Sequence, residues 1–278
     1  MTDASNAAAP LPPTLSSTLL HPDWDIVVGD GPVIATAIHD GHAIRESLVP
    51  WLASSEKERR REEDPLTGML TSVGDVRIRV RSSRFEVDLN RPRDKAISVD
   101  PADTWDMRVW KDSLPQSEID RSLRTWDAWY AMMRTLLDAT IARWGCALLI
   151  DLHSYNHRRD GASGEIADPA KNPDIELGVT TLDTQRWGDV AQCFREELTR
   201  HPLGNRTLDV RENVRFPTGG YFPEWVYREY GERVCTISPE YKKIFMDEWS
   251  GEVDIASIET LRSGLEAAIA AVRPEFAR

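Results

Sequence analysis

Ionisable side chains follow apolar runs at three places in this chain. His39 comes directly after Val33–Ile38, His153 stands three residues after Ile150 at the end of Cys146–Ile150, and Glu240 lies shortly beyond Ile237. Short apolar runs of this kind read as buried strands, and α/β proteins build their sites at the carboxyl ends of such strands. Two imidazoles and a carboxylate delivered to one sheet edge suit a catalytic zinc site, which uses two or three histidines and a carboxylate and keeps one position open for water. A remaining carboxylate then serves as general base. In Ile150-Asp151-Leu152-His153-Ser154-Tyr155, Asp151 is placed to accept the second ring N–H of His153 and so fix its tautomer, the partner that metal-binding histidines need.

The acidic ligand between the two histidines has three candidates. Glu46 lies four residues after His42, so a helix would put the two on one face. Glu63 and Asp64 precede Pro65, which stops a helix and can turn either carboxylate toward the strand ends. A second constellation, Asp88-Leu89-Asn90-Arg91-Pro92, puts an arginine and an amide in a loop, a pairing suited to bidentate capture of a substrate carboxylate. Arg84 and Arg215 are further cations for a substrate. Gly219-Gly220 beside Arg215 permits close backbone approach, Tyr155 and Tyr221 could line the pocket, and Ser154 is expected, with Asp151, to support the site from behind the ligands.

These groups need a scaffold that alternates strands and helices. Asp75–Arg81 alternates Val76, Ile78 and Val80 with Arg77, Arg79 and Arg81, the signature of a half-buried strand. Further strands are expected at Trp24–Val28, Phe85–Leu89, Ile175–Val179, Thr207–Val210 and Arg233–Ser238. Helices are expected at Ala43–Glu62, Ser117–Trp144, Asp183–Arg200, Tyr221–Tyr230 and about Asp254–Val272. Residues 154–174 form a long polar loop. Together this predicts one α/β domain over residues 21–278, a mixed central sheet flanked by helices, behind a disordered Ala/Pro/Ser tail at 1–20.

The chain has 278 residues, 41% hydrophobic and 29% charged, and a net charge of −12. That balance argues against nucleic acid or an anionic membrane as the main partner. No stretch reaches the roughly 18 apolar residues of a membrane span. Three widely spaced cysteines without a Cys-x-x-Cys fit a reducing cytoplasm better than a disulfide framework.

The ordered set His39-Asp40-Gly41, Arg84-Phe85-Glu86-Val87-Asp88-Leu89-Asn90-Arg91-Pro92, Asp151-Leu152-His153-Ser154 and Gly219-Gly220-Tyr221 resembles the N-formylglutamate amidohydrolases, within the zinc carboxypeptidase-like superfamily. The resemblance spans roughly residues 30–250. It implies a zinc-exopeptidase-like fold, one Zn²⁺ or another divalent ion on His39, Asp64 and His153 with Glu63 as rival ligand, and Glu240 as the catalytic carboxylate. It also implies that Asn90 and Arg91 bind the substrate's carboxylate. The expected activity is hydrolysis of the amide bond of an N-formyl or N-acyl amino acid, a small carboxylated amide, as part of amino-acid metabolism. Alternatives are a carboxypeptidase-like metallopeptidase on short peptides and a non-catalytic metal- or ligand-binding homologue.

Overall fold

The most apolar runs of the chain form the middle of a mixed sheet. In the computed structural model, which describes residues 21–276, β1 is Trp24–Val27, β2 Val33–Ala37, β3 Val76–Val80, β4 Ala147–Asp151, β5 His153–Tyr155, β6 Ile175–Gly178, β7 Val210–Glu212 and β8 Val234–Lys242. Every residue of β2 and β4 is buried, as befits parallel strands covered on both faces. The order is β1-β3-β2-β4-β8-β6-β7. β2, β3, β4 and β8 run parallel, while β1 and β6 pair antiparallel with β3 and β8. β3 shows the alternation expected of it, Arg77 and Arg79 pointing outward and its valines and isoleucine inward. The disordered tail expected at 1–20 lies outside the described residues.

After β4 the chain breaks for one residue, Leu152, and resumes as β5, which pairs parallel with the far half of β8. β8 is longer than the run Arg233–Ser238 predicts. It continues through Pro239 to Lys242, so Glu240 sits within the strand rather than after it. The antiparallel neighbour β6, with Leu177 opposite Pro239 and Glu176 opposite Glu240, extends the pairing.

Helices α1 (Glu56–Glu62), α2 (Thr67–Leu70), α3 (Gln116–Trp144), α4 (Thr184–Arg200), α5 (Tyr221–Tyr230) and α6 (Ile255–Val272) complete the layers. One face of the sheet packs Trp129, Met133 and Leu137 of α3 with Phe222 and Trp225 of α5. The other packs Trp187, Phe194 and Leu198 of α4 with Leu261, Leu265 and Ile269 of α6. Among the described residues no helix is long and apolar enough to cross a membrane.

Two expected elements differ. The helix predicted over 43–62 is split into a 3₁₀ turn, Glu46–Trp51 with Pro50 inside it, and α1, which starts afresh at Ser55. Pro50 offers no amide hydrogen for a continuous α-helix, and Ser55 with Glu58 forms a capping box that nucleates the second piece. The strand predicted over Phe85–Leu89 is a series of turns. Its alternation is real, but Glu86 and Asp88 are also buried, held by Arg45 and by His39 with Arg84, so no sheet partner satisfies this segment.

Candidate active site

The end of β2, the residues after α1 and the start of β5 converge at the carboxyl edge of the sheet. The amide N–H of Asp64 donates to the carbonyl of His39 at 2.9 Å, which carries the acidic side chain to the strand end. Leu66, two residues on, takes a left-handed backbone (φ 74°), a conformation that makes an abrupt turn after Pro65. Asp64 Oδ2 lies 3.0 Å from His153 Nδ1 and 3.4 Å from His39 Nδ1. One ligand atom from each of the three residues falls within 4.8 Å of the others, and all three residues are buried.

The outer ring nitrogens are held by carboxylates, His153 Nε2 by Asp151 at 2.9 Å and His39 Nε2 by Asp88 at 2.8 Å. Asp151 is fixed in turn by the Thr36 hydroxyl at 2.7 Å, and Asp88 by Arg84 at 2.8 Å. Carboxylates accepting at Nε2 direct the lone pair of Nδ1 inward. Buried His39 Nδ1 has no hydrogen-bond partner, a cost that a bound cation would remove. Burial alone would raise the Asp64 carboxyl, but the two imidazoles beside it, His153 and His39, outweigh that and keep Asp64 well below the usual carboxylate range, ionised and ready as a ligand. The donor set and the orphaned nitrogen fit a divalent cation.

These groups open onto a cavity of about 310 Å³, in the range of small-molecule sites. Glu240 stands on its wall, paired by backbone register with His153 on one side and Glu176 on the other. Burial pushes its carboxyl up to about 8, against the opposing pull of His153. The carboxylate of Glu176 accepts the amide N–H groups of Arg215 and Phe216 at 2.7 and 2.8 Å. The carboxylate of Glu240 has no hydrogen bond or ion pair among the described residues.

The remaining residues fall into two groups. Asn90, Arg91, Arg84, Arg215 and Ser154 border the cavity. Asn90 Oδ1 accepts from the Phe222 amide at 2.9 Å, which leaves its NH₂ as a donor. A Cβ on Gly220 would come within 2.3 Å of that side chain, so glycine is required for the approach. Arg91 donates to the Asp103 carbonyl at 2.5 Å, while the guanidinium of Arg215 forms no ion pair among the described residues and its Nε is buried without a partner. The other group lies elsewhere. Tyr221 is not on the cavity wall; its ring packs against Tyr130 and Trp126 at 5.9 and 6.2 Å. Glu63 points its carboxyl at the Ser83 hydroxyl rather than at the histidines, and Glu46 is exposed on the 3₁₀ turn. Asp88, Glu176, Trp105 and Lys243 at the site were not singled out by sequence; Lys243 precedes the apolar Ile244-Phe245-Met246, the one legible sign.

The sequence pattern of the N-formylglutamate amidohydrolases matches residues 31–242. The structure is similar to that of N-formylglutamate amidohydrolase from Ralstonia eutropha JMP134, with a TM-score of 0.68 and 19% identity over 91% of this chain and 97% of that one. It is also similar to a gene product of Agrobacterium tumefaciens, with a TM-score of 0.59 and 16% identity over 90% of this chain and 96% of that one. No curated protein sequence matches the chain. The class is therefore that of hydrolases acting on the C–N bond of amides. Within that class, the chain belongs to the N-formylglutamate amidohydrolase family.

Proposed function

We propose that this protein is a zinc-dependent amidohydrolase that removes a formyl or other small acyl group from an amino acid. The observation that carries the reading is the convergence of His39, Asp64 and His153 beside Glu240, a half-buried carboxylate without a hydrogen bond or ion pair among the described residues. His39 and His153 through Nδ1, and Asp64 through a carboxylate oxygen, would hold the ion, and a His/His/carboxylate set favours zinc among divalent metals. Such an ion, when bound, supplies Lewis-acid chemistry, polarising an amide carbonyl and acidifying a water molecule.

The chain's own residues do the rest. Asn90 and Arg91 hold the amino acid's carboxylate by an amide N–H and a guanidinium fork, and Arg215, stacked over Tyr155 and Phe216 and without an ion pair among the described residues, faces a second anionic or polar group. Glu240 takes the proton of the attacking water as the O–C bond forms. It returns that proton to the nitrogen as the C–N bond breaks, releasing carboxylic acid and amine. A carboxyl raised by burial is a stronger base than an ordinary carboxylate, which favours uptake of the water's proton whenever it is ionised. Arg84, fixed by Asp88, adds positive charge beside the developing oxyanion.

The test is metal analysis of purified protein together with hydrolysis of a panel of N-formyl and N-acyl amino acids and short peptides. We expect tightly bound zinc, turnover of N-acylated amino acids, and loss of both in His153→Ala. Unchanged hydrolysis in that variant would falsify the reading. Preference for peptides would instead identify a carboxypeptidase-like activity, and zinc binding without turnover a non-catalytic homologue.

A further inference from the structure

Lys243 lies three residues beyond Glu240, borders the cavity, and is only 1% exposed. Its ammonium donates to the carbonyl oxygens of Arg61 and Glu63 at 2.6 and 2.8 Å and to Asn156 Oδ1 at 2.8 Å. An ammonium carries three hydrogens, and all three are engaged. None is left to protonate a leaving group, so the residue does not act as an acid on a substrate.

The three acceptors show what it does instead. Arg61 and Glu63 belong to the end of α1, where carbonyls lack partners inside the helix and a cation is favoured. The next residue is Asp64, whose N–H is bound by the His39 carbonyl at 2.9 Å. The third acceptor extends the hold: Asn156 Nδ2 donates to Glu62 at 3.1 Å, and Arg159 reaches the same carboxylate oxygen at 3.1 Å. The segment 61–64 is thus gripped from the β8 side through its carbonyls and from the β2 side through its amide. Among side chains only an ammonium gives three hydrogens from one atom to converging acceptors; the guanidinium fork is planar and an amide has two.

We propose that Lys243 is a positioning residue for the metal site: by fixing the Arg61–Glu63 backbone it presents Asp64 between His39 and His153 before any ion arrives. This rests on the metal reading given above. A ligand held in place in this way binds metal more tightly than one that must be ordered on binding, and outer partners of ligands typically contribute about 10- to 100-fold in affinity.

The experiment titrates zinc into the metal-stripped full-length protein against a competing chromophoric chelator, beside thermal melts of the stripped protein. Lys243→Met is expected to remain folded and to bind zinc about 10- to 100-fold more weakly, and Lys243→Arg to behave alike because its fork cannot meet all three acceptors. A purely structural lysine would lower the melting temperature of the stripped protein and leave the zinc affinity of folded molecules within about twofold of the parent; that result overturns the proposal. If Lys243→Met does not fold, Asn156→Leu takes its place. It removes one acceptor and the tie to Glu62, a several-fold loss is expected, and unchanged affinity again overturns the proposal. His39→Ala is measured alongside. Should it keep the parental affinity, the metal reading itself fails, and with it any role of Lys243 toward an ion.

Discussion

The first residues of β4 and β8 and the residues at and just past their far ends are both largely withdrawn from water and built from opposite chemistry. Ala147, Leu148, Leu149 and Ile150, paired with Val234, Cys235 and Ile237, are buried apolar groups in the middle of the sheet. Further along, Asp151, His153 and Lys243 are as deeply enclosed, while Glu240 is half-buried at the cavity wall. In the first half burial itself stabilises, by about 25 cal/mol for each Å² of apolar surface removed from water. In the second half burial costs free energy that only partners recover. Asp151, His153 and Lys243 have such partners, and Glu240 does not. The unrelieved cost therefore falls on the group proposed to exchange a proton, as expected where function and stability compete.

That contrast can be broken most severely at Glu240. Glu240→Gln keeps shape and loses the base, so kcat should fall by about 100- to 10,000-fold. The melting temperature should meanwhile stay level or rise, because a half-buried acid has been replaced by a neutral amide. Steady-state kinetics beside calorimetry decide it, and an active or a destabilised variant would show that the carboxylate is structural. On the apolar half the signs reverse. Leu149→Ala should lower unfolding free energy in urea by about 2–5 kcal/mol, with zinc affinity of the folded protein unchanged. Weakened zinc binding there would mean that the two halves are not separable.

The smallest effect tests whether a buried acid with good partners behaves differently from Glu240. Glu248 accepts the amide N–H groups of His157 and Arg158 at 2.9 and 2.8 Å. Burial would raise its carboxyl, but bonds from the His157 side chain and from these amides outweigh that and leave it lowered. A carboxyl lowered in the folded state adds stability above its ordinary pKa near 4.5, and that stability is lost as pH falls through the lowered value. Glu248→Gln should therefore be less stable than the parent by about 1–2 kcal/mol at pH 7, and the gap should close toward pH 3. A gap that does not change with pH would assign the loss to packing.

What could be read from the sequence was what local pattern determines. The apolar runs ending at Ile38 and Ile150 announced buried parallel strands and placed His39 and His153 at their ends, and Asp151 was legible as a partner because it stands two residues from His153 on an extended chain. Glu63 and Asp64 could not be separated, because which one turns inward depends on the left-handed Leu66 and on the bond from Asp64 to the His39 carbonyl. Asp88 was hidden by an alternation that looked like a strand and proved to be turns wrapped around a histidine 49 positions away. Tyr221 was misjudged since the two glycines before it do reach the cavity, while its own ring turns away to α3.

The pairing of β5 with β8 sets His153 and Glu240 on one backbone rung, so the spacing between the proposed ligand and the proposed base is a property of strand register. Inserting or deleting residues in the loops after β5, around Trp105 or before α5 changes the walls of the cavity without altering that rung. A shift of one residue in β8, by contrast, would turn Glu240 to the opposite face. Room for change at the cavity thus lies in the outer parts of these loops, away from Asn156, Arg159 and Gly220, while the spacing of His153 and Glu240 can only be kept or lost whole.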